Sequence, residues 1–201
     1  MPVVPFKYLF LVGLMGTGKT TIGRHLAKTL KMSFIDTDHE VESRTGANIP
    51  WIFDIEGEKG FRKRERDIID EMTQRQGIVL ATGGGAVLDK RNRSNLSERG
   101  MVVYLATSIE HLLKRTAKDR NRPLLQTADP RARLESLLVE RDPLYREIAD
   151  LIIETDNRSI PGTVRAILNG VKKLTAKQAA TSKQKAQKLG TPTVNQDSKK
   201  S

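Results

Sequence analysis

Short apolar runs alternate with amphipathic segments over most of the chain. The first run is Tyr8–Val12, and a helical spacing of apolar positions follows it at Lys19–Leu30. Further apolar runs of strand length stand at residues 32–36, 77–81, 102–106 and 151–154. Strands that alternate with helices favour a parallel sheet covered by helices on both faces. The pattern therefore predicts a three-layer α/β fold with a five-stranded parallel sheet flanked by helices.

Helical patterns fill several of the connections between these runs. Residues 58–75 are highly charged, and their apolar positions fall on one helical face: Phe61, Ile68, Ile69 and Met72. Pro143 is expected to start a short helix, since proline is favoured in a first turn. The other helices are predicted at residues 38–44, 49–55 and 161–173, and one more begins near Ser108.

The composition changes after Leu174. Residues 175–201 are rich in Lys, Gln, Ala, Thr and Ser and contain few apolar side chains. Such a segment cannot bury enough apolar surface to fold, so we expect it to be largely disordered. Its Ala-rich start could extend the last helix. We therefore expect one folded domain at residues 1–174 and an appended tail at residues 175–201.

Most of the net charge of +11 lies in the last 30 residues, which include this tail. Residues 172–201 hold eight lysines and one aspartate, a charge of +7, which leaves +4 for residues 1–171. A folded part that is only mildly basic does not by itself indicate a nucleic-acid partner. Cysteine is absent, which excludes disulfides, thiolate metal sites and a cysteine nucleophile.

The sequence shows no clear export or membrane signal. Its longest early apolar run, from Tyr8 to Met15, is far shorter than the roughly 20 residues of a membrane span. No Ala-x-Ala-like cleavage site follows that run. We therefore expect a cytoplasmic protein without membrane association.

A glycine-rich loop follows the first predicted strand. Residues 13–20 read Gly-Leu-Met-Gly-Thr-Gly-Lys-Thr and match the pattern G-x-x-x-x-G-K-[ST]. Glycines let backbone N–H groups surround a β-phosphate, and the following helix adds a partial positive charge. Lys19 would reach the β- and γ-phosphates, and Thr20 would ligate Mg²⁺. The strand before the loop and the helix after it favour an ATP site over a chance glycine turn.

Two aspartates end the second predicted strand. A P-loop enzyme needs a carboxylate near Mg²⁺, and the third strand leads to Thr82 instead. Asp36 is therefore the predicted metal-side carboxylate, acting through water. Asp38 has two interpretations that these residues leave open: it accepts a hydrogen bond from a substrate hydroxyl, or it caps the following helix.

Three further features are ambiguous when each is taken alone. The glycines at residues 83–85 permit close approach of a ligand to the backbone, or form a flexible turn. Arg62 and Glu65 share a helical face, which by itself favours a solvated ion pair. Arg120 and Arg122 lie in a long connection, and form a basic surface loop or close over phosphates.

Taken together, these motifs resemble the shikimate kinase family over roughly residues 8–172. The order and spacing of the motifs make the resemblance specific. Its carriers are the Gly-Leu-Met-Gly-Thr-Gly-Lys-Thr-Thr loop, Asp36-x-Asp38, Ile49-x-x-Ile-Phe53, Gly57-Glu58-x-x-Phe61-Arg62-x-x-Glu65, Thr82-Gly83-Gly84-Gly85, Arg122-Pro123-Leu124-Leu125 and Arg141-x-Pro143-Leu144-Tyr145.

The resemblance implies transfer of the γ-phosphoryl group of ATP to the 3-hydroxyl of shikimate, in aromatic amino-acid biosynthesis. It implies a P-loop kinase fold with a mobile lid at about residues 116–130. It also suggests a monomer that holds one Mg²⁺ together with ATP.

The site residues carried over by motif fall into four groups. The ATP-binding residues would be Gly16, Thr17, Gly18, Lys19, Thr20, Thr21, Arg115 and Arg122. Mg²⁺ would be held by Thr20 and Asp36. Shikimate would be bound by Asp38, Arg62, Gly84 and Arg141, with both arginines on its carboxylate. The catalytic residues would be Lys19, Asp38 and Arg122, the last of which would act from the lid.

The chain departs from the family pattern near residue 158. The family often carries an arginine just before Asn-Pro in its adenine-side loop, whereas residues 157–161 read Asn-Arg-Ser-Ile-Pro here. The arginine is therefore offset, and the role of Arg158 stays open.

Other function classes fit the sequence less well. The nearest alternative is a P-loop kinase that acts on gluconate or a nucleotide, but the paired arginines and Asp36-x-Asp38 favour shikimate. A GTPase is disfavoured because the chain has no Asn/Thr-Lys-x-Asp and no strand that ends in Asp-x-x-Gly. A nucleic-acid-binding module is disfavoured because the basic tail lacks aromatic residues and lies outside the predicted fold.

Overall fold

A computed structural model describes residues 8–117 and 129–189 of the chain. Within these residues a parallel sheet of five strands forms the centre of the fold. Its strands are β1 (Tyr8–Val12), β2 (Ser33–Asp36), β3 (Ile78–Ala81), β4 (Met101–Ala106) and β5 (Leu151–Glu154). The predicted α/β class, the five strands and their approximate positions are confirmed.

The strands lie in the order β2-β3-β1-β4-β5, and every neighbouring pair is parallel. Because β3 lies between β1 and β2, the segments that follow these three strands meet at one edge of the sheet. Ligands of open parallel sheets bind at this carboxyl edge. The order of the strands therefore positions the phosphate loop, the two aspartates and the glycine run side by side.

Helices cover both faces of the sheet. They are α1 (Lys19–Leu30), α2 (Thr37–Thr45), α3 (Ile49–Met72), α4 (Lys90–Arg99), α5 (Ile109–Thr116), α6 (Pro130–Ile148) and α7 (Ile160–Leu189). A short 3-10 helix spans Ala86–Leu88. Gly57 in α3 has φ 68° and ψ 179°, so it separates two helical segments much as the sequence predicted.

The alternation of side chains in β1 shows how the two cores form. Leu9 and Leu11 pack with side chains of α1 and α7, whereas Phe10 and Val12 pack with side chains of α3 and α6. Successive residues of a strand point to opposite faces, so a strand buried on both sides reads as a continuous apolar run. This explains why short apolar runs were sufficient to locate the strands.

Three helices differ from the sequence-based expectation, and one of them, α4, was not predicted. Pro143 lies inside α6 and does not start a short helix, because α6 already begins at Pro130 behind the Asp129 cap. The last helix continues to Leu189 and so passes through residues 175–189, which we expected to be largely disordered. Ala, Lys and Gln are good helix formers, and no glycine or proline occurs between Gly170 and Gly190.

The lid predicted from the resemblance and the absence of a membrane span are two further expectations. Arg122 and most of the expected lid at residues 116–130 lie outside the described residues. Among the described helices, none is both long and apolar enough to span a bilayer.

Candidate active site

The phosphate loop joins the end of β1 to the start of α1. Gly13, Gly16 and Gly18 all have positive φ angles, as expected of a backbone that turns its N–H groups inward around an anion. Lys19 is buried, and its ammonium group donates to the carbonyl oxygens of Gly13 at 2.7 Å and Leu14 at 2.8 Å. The lysine is thus held across the loop, next to the place where a bound phosphate would lie.

Thr20 and Asp36 come together although 16 residues separate them. The Thr20 hydroxyl donates to Asp36 Oδ2 at 2.7 Å. A hydroxyl and a carboxylate oxygen are hard donors of the kind that Mg²⁺ prefers, so this pair fits the predicted metal side of the site. The described residues contain no group of three or more His, Cys, Asp or Glu side chains that could hold a metal ion.

Asp36 has a second role that the sequence analysis assigned to its neighbour. Asp36 Oδ1 accepts from the backbone N–H of Asp38 at 3.1 Å and caps the N-terminus of α2. The interpretation of Asp38 as the helix cap is therefore wrong, because α2 begins at Thr37. Asp38 lies in the first turn of α2 and is half-buried, with its carboxylate close to Gly83.

The glycine run after β3 provides room for charged side chains. A Cβ atom on Gly83 would collide with Glu65 Oε1 and lie 2.7 Å from Asp38 Oδ1. A Cβ atom on Gly85 would lie 2.6 Å from Cζ of Arg62. Only glycine allows these side chains to approach the backbone so closely. The turn is therefore a close-packed wall of the site and not merely a flexible connection.

Arg62 and Glu65 form an ion pair, but it is not the solvated pair expected from their spacing. The Nη1–Oε2 distance is 2.7 Å, the Glu65 side chain is fully buried, and that of Arg62 is 19% exposed. Arg62 also contacts the exposed Glu58 at 3.1 Å. The expectation of a solvated pair failed because α3 presses this face against the glycine turn.

Arg141 reaches the same cluster from α6. It is 3% exposed, and its Nε lies 3.3 Å from Glu140 Oε2. Within the described residues, neither Arg141 Nη1 nor Glu65 Oε1 has a hydrogen-bond partner, although both atoms are buried. A buried charged group without a partner is costly, so these atoms indicate a place where a polar ligand belongs.

The neighbouring charged side chains all affect the pKa of the buried Glu65 carboxyl group. Burial raises the pKa of Glu65, Arg62 and Arg141 lower it, and Asp38 raises it, so that the net pKa is about 7. The structure thus brings the predicted residues Asp38, Arg62 and Arg141 together around this carboxylate.

Other predicted site residues occupy positions near the phosphate loop. Arg115 lies within 3.4 Å of the Gly16 and Thr17 carbonyl oxygens and also contacts Thr155 at the end of β5. Arg115 thus connects the phosphate loop to the segment that follows β5. Thr21 is exposed in the first turn of α1, directly after Thr20.

Arg158, whose role the sequence left open, donates to the carbonyl oxygen of Glu154 at 3.0 Å.

Sequence reasoning missed the importance of Glu65 and Tyr145. Glu65 shares a helical face with the apolar residues Phe61, Ile68 and Met72, and this spacing could have indicated its burial. In the sequence, Tyr145 was noted only as the last residue of the motif Arg141-x-Pro143-Leu144-Tyr145. Its hydroxyl donates to the Gly84 carbonyl oxygen, a contact across 61 residues that no local pattern reveals.

The raised pKa of Glu65 predicts a specific pH dependence of stability. An acid whose pKa rises from 4.5 to about 7 on folding binds more protons in the folded state between these values. Its contribution to stability is therefore present below pH 4.5 and is lost as the pH rises through 7. In the Glu65→Gln variant this contribution is absent.

Urea unfolding at pH 5, 6, 7 and 8 tests the assignment. From pH 5 to pH 8, the free energy of unfolding of the wild type should fall relative to that of Glu65→Gln by on the order of 2 kcal/mol. Glu58→Gln, which removes the exposed partner of Arg62, should follow the wild type. Parallel curves for the wild type and Glu65→Gln would contradict the raised pKa.

Comparisons with known proteins agree with this geometry. The family model described as shikimate kinase matches residues 15–172. A shikimate kinase of Bordetella avium is 59% identical over 160 residues, which cover 80% of this chain and 77% of that protein. A shikimate kinase of Photobacterium profundum is 57% identical over 163 residues, 81% of this chain and 93% of that protein.

A solved structure supports the same assignment. Shikimate kinase from Acinetobacter baumannii, in complex with shikimate, superposes with a TM-score of 0.82 at 50% identity. The match covers 85% of this chain and 95% of that chain. Fold, site and sequence thus agree, and the chain belongs to the shikimate kinase family.

Proposed function

We propose that this chain is a shikimate kinase, which transfers the γ-phosphoryl group of ATP to the 3-hydroxyl of shikimate. The observation that supports this acceptor most directly is the pair of guanidinium groups, Arg62 and Arg141, beside the Asp38 carboxylate. Shikimate is a small carboxylate with several hydroxyl groups, so it matches two cations and one hydrogen-bond acceptor.

The carboxylate of shikimate would pair with Arg62 and Arg141. Guanidinium groups form planar, charge-assisted hydrogen bonds to carboxylates, and such bonds are shorter and stronger than neutral ones. Arg141 Nη1, which has no partner in the part of the chain that the structure describes, offers one donor for this purpose. The backbone N–H of Gly84 would supply a further donor from the glycine turn. Together these groups fix the carboxylate end of the substrate.

Asp38 would bind the hydroxyl groups at the other end of the substrate. By accepting a hydrogen bond from the 3-hydroxyl, it orients that oxygen towards the γ-phosphorus. As the O–P bond to the γ-phosphorus forms, the bond from that phosphorus to the β,γ-bridging oxygen of ATP breaks and ADP leaves. The proton of the 3-hydroxyl can pass to the Asp38 carboxylate. Lys19, held at the loop carbonyls, would neutralise charge that develops on the transferred group.

Magnesium would be held where Thr20, at the end of the phosphate loop, meets Asp36. The Thr20 hydroxyl and the Asp36 carboxylate fit Mg²⁺ as oxygen donors, with Asp36 acting through water. The ion supplies positive charge to the β- and γ-phosphate oxygens when it is bound. We infer one such ion for each chain.

The ATP side would include Arg115 beside the adenine. Arg122, outside the described residues, would close over the phosphates from the lid, which excludes water as a competing acceptor. We propose that residues 1–174 form the kinase domain and that residues 175–201 are an appendage without a catalytic role. We further propose a monomer that acts in the cytoplasm, where ATP is available, and that has no nucleic-acid partner.

A coupled assay of ADP formation tests the proposed function. ATP turnover with Mg²⁺ should be stimulated strongly by shikimate and not by gluconate or a nucleoside monophosphate. Stimulation by gluconate or a nucleotide, without stimulation by shikimate, would assign the chain to a different small-molecule kinase.

Arg62→Ala should weaken shikimate binding selectively. Loss of charge-assisted hydrogen bonds to the carboxylate should raise the KM for shikimate about 10- to 100-fold, with the KM for ATP within about twofold. Arg64→Ala is the matched control, because Arg64 lies on the same helix but pairs with Glu56 at the surface. Equal increases in both KM values in Arg62→Ala would count against the carboxylate clamp.

Asp38→Asn should separate nucleotide binding from turnover. The amide keeps the size of the side chain but is a poor proton acceptor, so kcat should fall by roughly 100-fold or more. Affinity for ATP, measured by calorimetry, should stay within about twofold of wild type because we assign Asp38 to the acceptor and not to the nucleotide. The control Asp54→Asn changes an exposed carboxylate of α3. Near-normal turnover in Asp38→Asn would remove this residue from the catalytic set.

A further inference from the structure

The hydroxyl of Tyr145 is buried and connects two parts of the site. Tyr145 is 0% exposed, and its hydroxyl donates to the carbonyl oxygen of Gly84. Burial raises the pKa of Tyr145, so the hydroxyl remains protonated and able to donate at neutral pH. A side chain of α6 therefore holds the backbone of the turn that follows β3.

The bond fixes the orientation of a peptide plane in the glycine turn. The Gly84 carbonyl and the Gly85 N–H belong to one planar peptide unit and point in opposite directions. Glycine would otherwise give this turn more conformational freedom than any other residue. The turn is also held at its start, where the Gly83 N–H donates to Thr37 Oγ1 at 2.9 Å. With both ends fixed, the Gly84 N–H between them has a defined direction.

The same helix carries one of the proposed carboxylate-binding groups. Arg141 precedes Tyr145 by four residues, so both side chains lie on one face of α6. The bond from Tyr145 to Gly84 consequently ties the part of α6 that carries Arg141 to the glycine turn. Pro143 lies between Arg141 and Tyr145 and has no backbone N–H to donate within the helix. This turn of α6 therefore depends more on contacts with the rest of the fold.

Tyr104 supports the arrangement from β4. The rings of Tyr104 and Tyr145 stack with centroids 4.9 Å apart and planes inclined at 27°. The Tyr104 hydroxyl donates to Asp142 Oδ1 at 2.8 Å, and this bond does not involve the glycine turn. Each of the two stacked tyrosines thus donates one hydroxyl hydrogen bond. The bond of Tyr145 reaches the glycine turn, whereas that of Tyr104 stays with Asp142 on α6.

We propose that Tyr145 is a positioning residue for the carboxylate of the substrate. Its hydroxyl holds the glycine turn at a fixed distance from Arg141, so that backbone N–H and guanidinium groups meet one carboxylate together. The inference rests on the proposed function of this same site, because it assumes a substrate that carries a carboxylate. It assigns to Tyr145 a role in substrate affinity beyond packing.

The Tyr145→Phe variant of the full-length protein tests the proposal, since it keeps the ring and removes only the hydroxyl. The KM and the calorimetric Kd for shikimate should rise about five- to tenfold, the effect of one hydrogen bond. The KM for ATP should stay within about twofold, and kcat should fall less than the affinity for shikimate. Equal changes for both substrates, or an unchanged KM for shikimate, would overturn the positioning role.

Tyr104→Phe is the matched control. It also removes a hydroxyl bond from the tyrosine stack, so thermal unfolding should detect a similar loss of stability. Its KM for shikimate should stay within about twofold of wild type. An equal rise in this KM for both variants would show a general effect of packing and contradict the proposal.

Restoring a donor at the same position gives an independent readout. Replacement of Tyr145 by p-aminophenylalanine keeps an N–H donor next to Gly84 and should recover most of the lost affinity for shikimate. This variant also tests the proposal if Tyr145→Phe does not fold. A folded variant that binds shikimate with wild-type affinity supports the proposal. Weak binding of shikimate despite the N–H donor contradicts it. Wild-type turnover is measured first, since its absence with shikimate would refute the proposed function and not the role of Tyr145.

Discussion

The site depends on two guanidinium groups, Arg62 and Arg141, held below the surface next to a phosphate loop. Taking such ions out of water costs several kcal/mol each unless they are paired well. Glu65 pairs with Arg62, yet Arg141 Nη1 has no partner among the described residues. A substrate carboxylate would complete this balance of charge. Under the proposed function the cluster is arranged in advance for an anionic acceptor, and this arrangement lowers the stability of the protein without ligand.

The strand order explains how an ATP site and an acceptor site come to share one edge. Because β3 lies between β1 and β2, its glycine turn separates the phosphate loop from Asp38 by the width of one strand. Helix α3 delivers Arg62 and Glu65 to this turn, and α6 delivers Arg141 and Tyr145. Five segments distant in sequence therefore meet at this edge of the sheet, where we propose that the phosphoryl donor and the hydroxyl acceptor bind side by side.

Much of the fold could be predicted because its signals are local. The apolar runs of the buried strands and the phosphate loop are continuous in sequence, and the structure has them where they were predicted. The contacts that complete the site are not local: Glu65 is buried only because α3 packs on the glycine turn, and Tyr145 meets Gly84 across the fold. Helix α6 was missed because Pro143 suggested a helix start, and α7 was shortened because a lysine-rich composition suggested disorder.

The identity and position of the product test the central claim most directly. The chain should be incubated with ATP, Mg²⁺ and shikimate, and the product analysed by mass spectrometry and by phosphorus–proton NMR correlation. The account predicts a single product, shikimate with one added phosphate, in which phosphorus couples to the proton on carbon 3. Formation of ADP with free phosphate only, or of a product phosphorylated at another hydroxyl, would contradict the proposed geometry of Asp38 and the arginine pair.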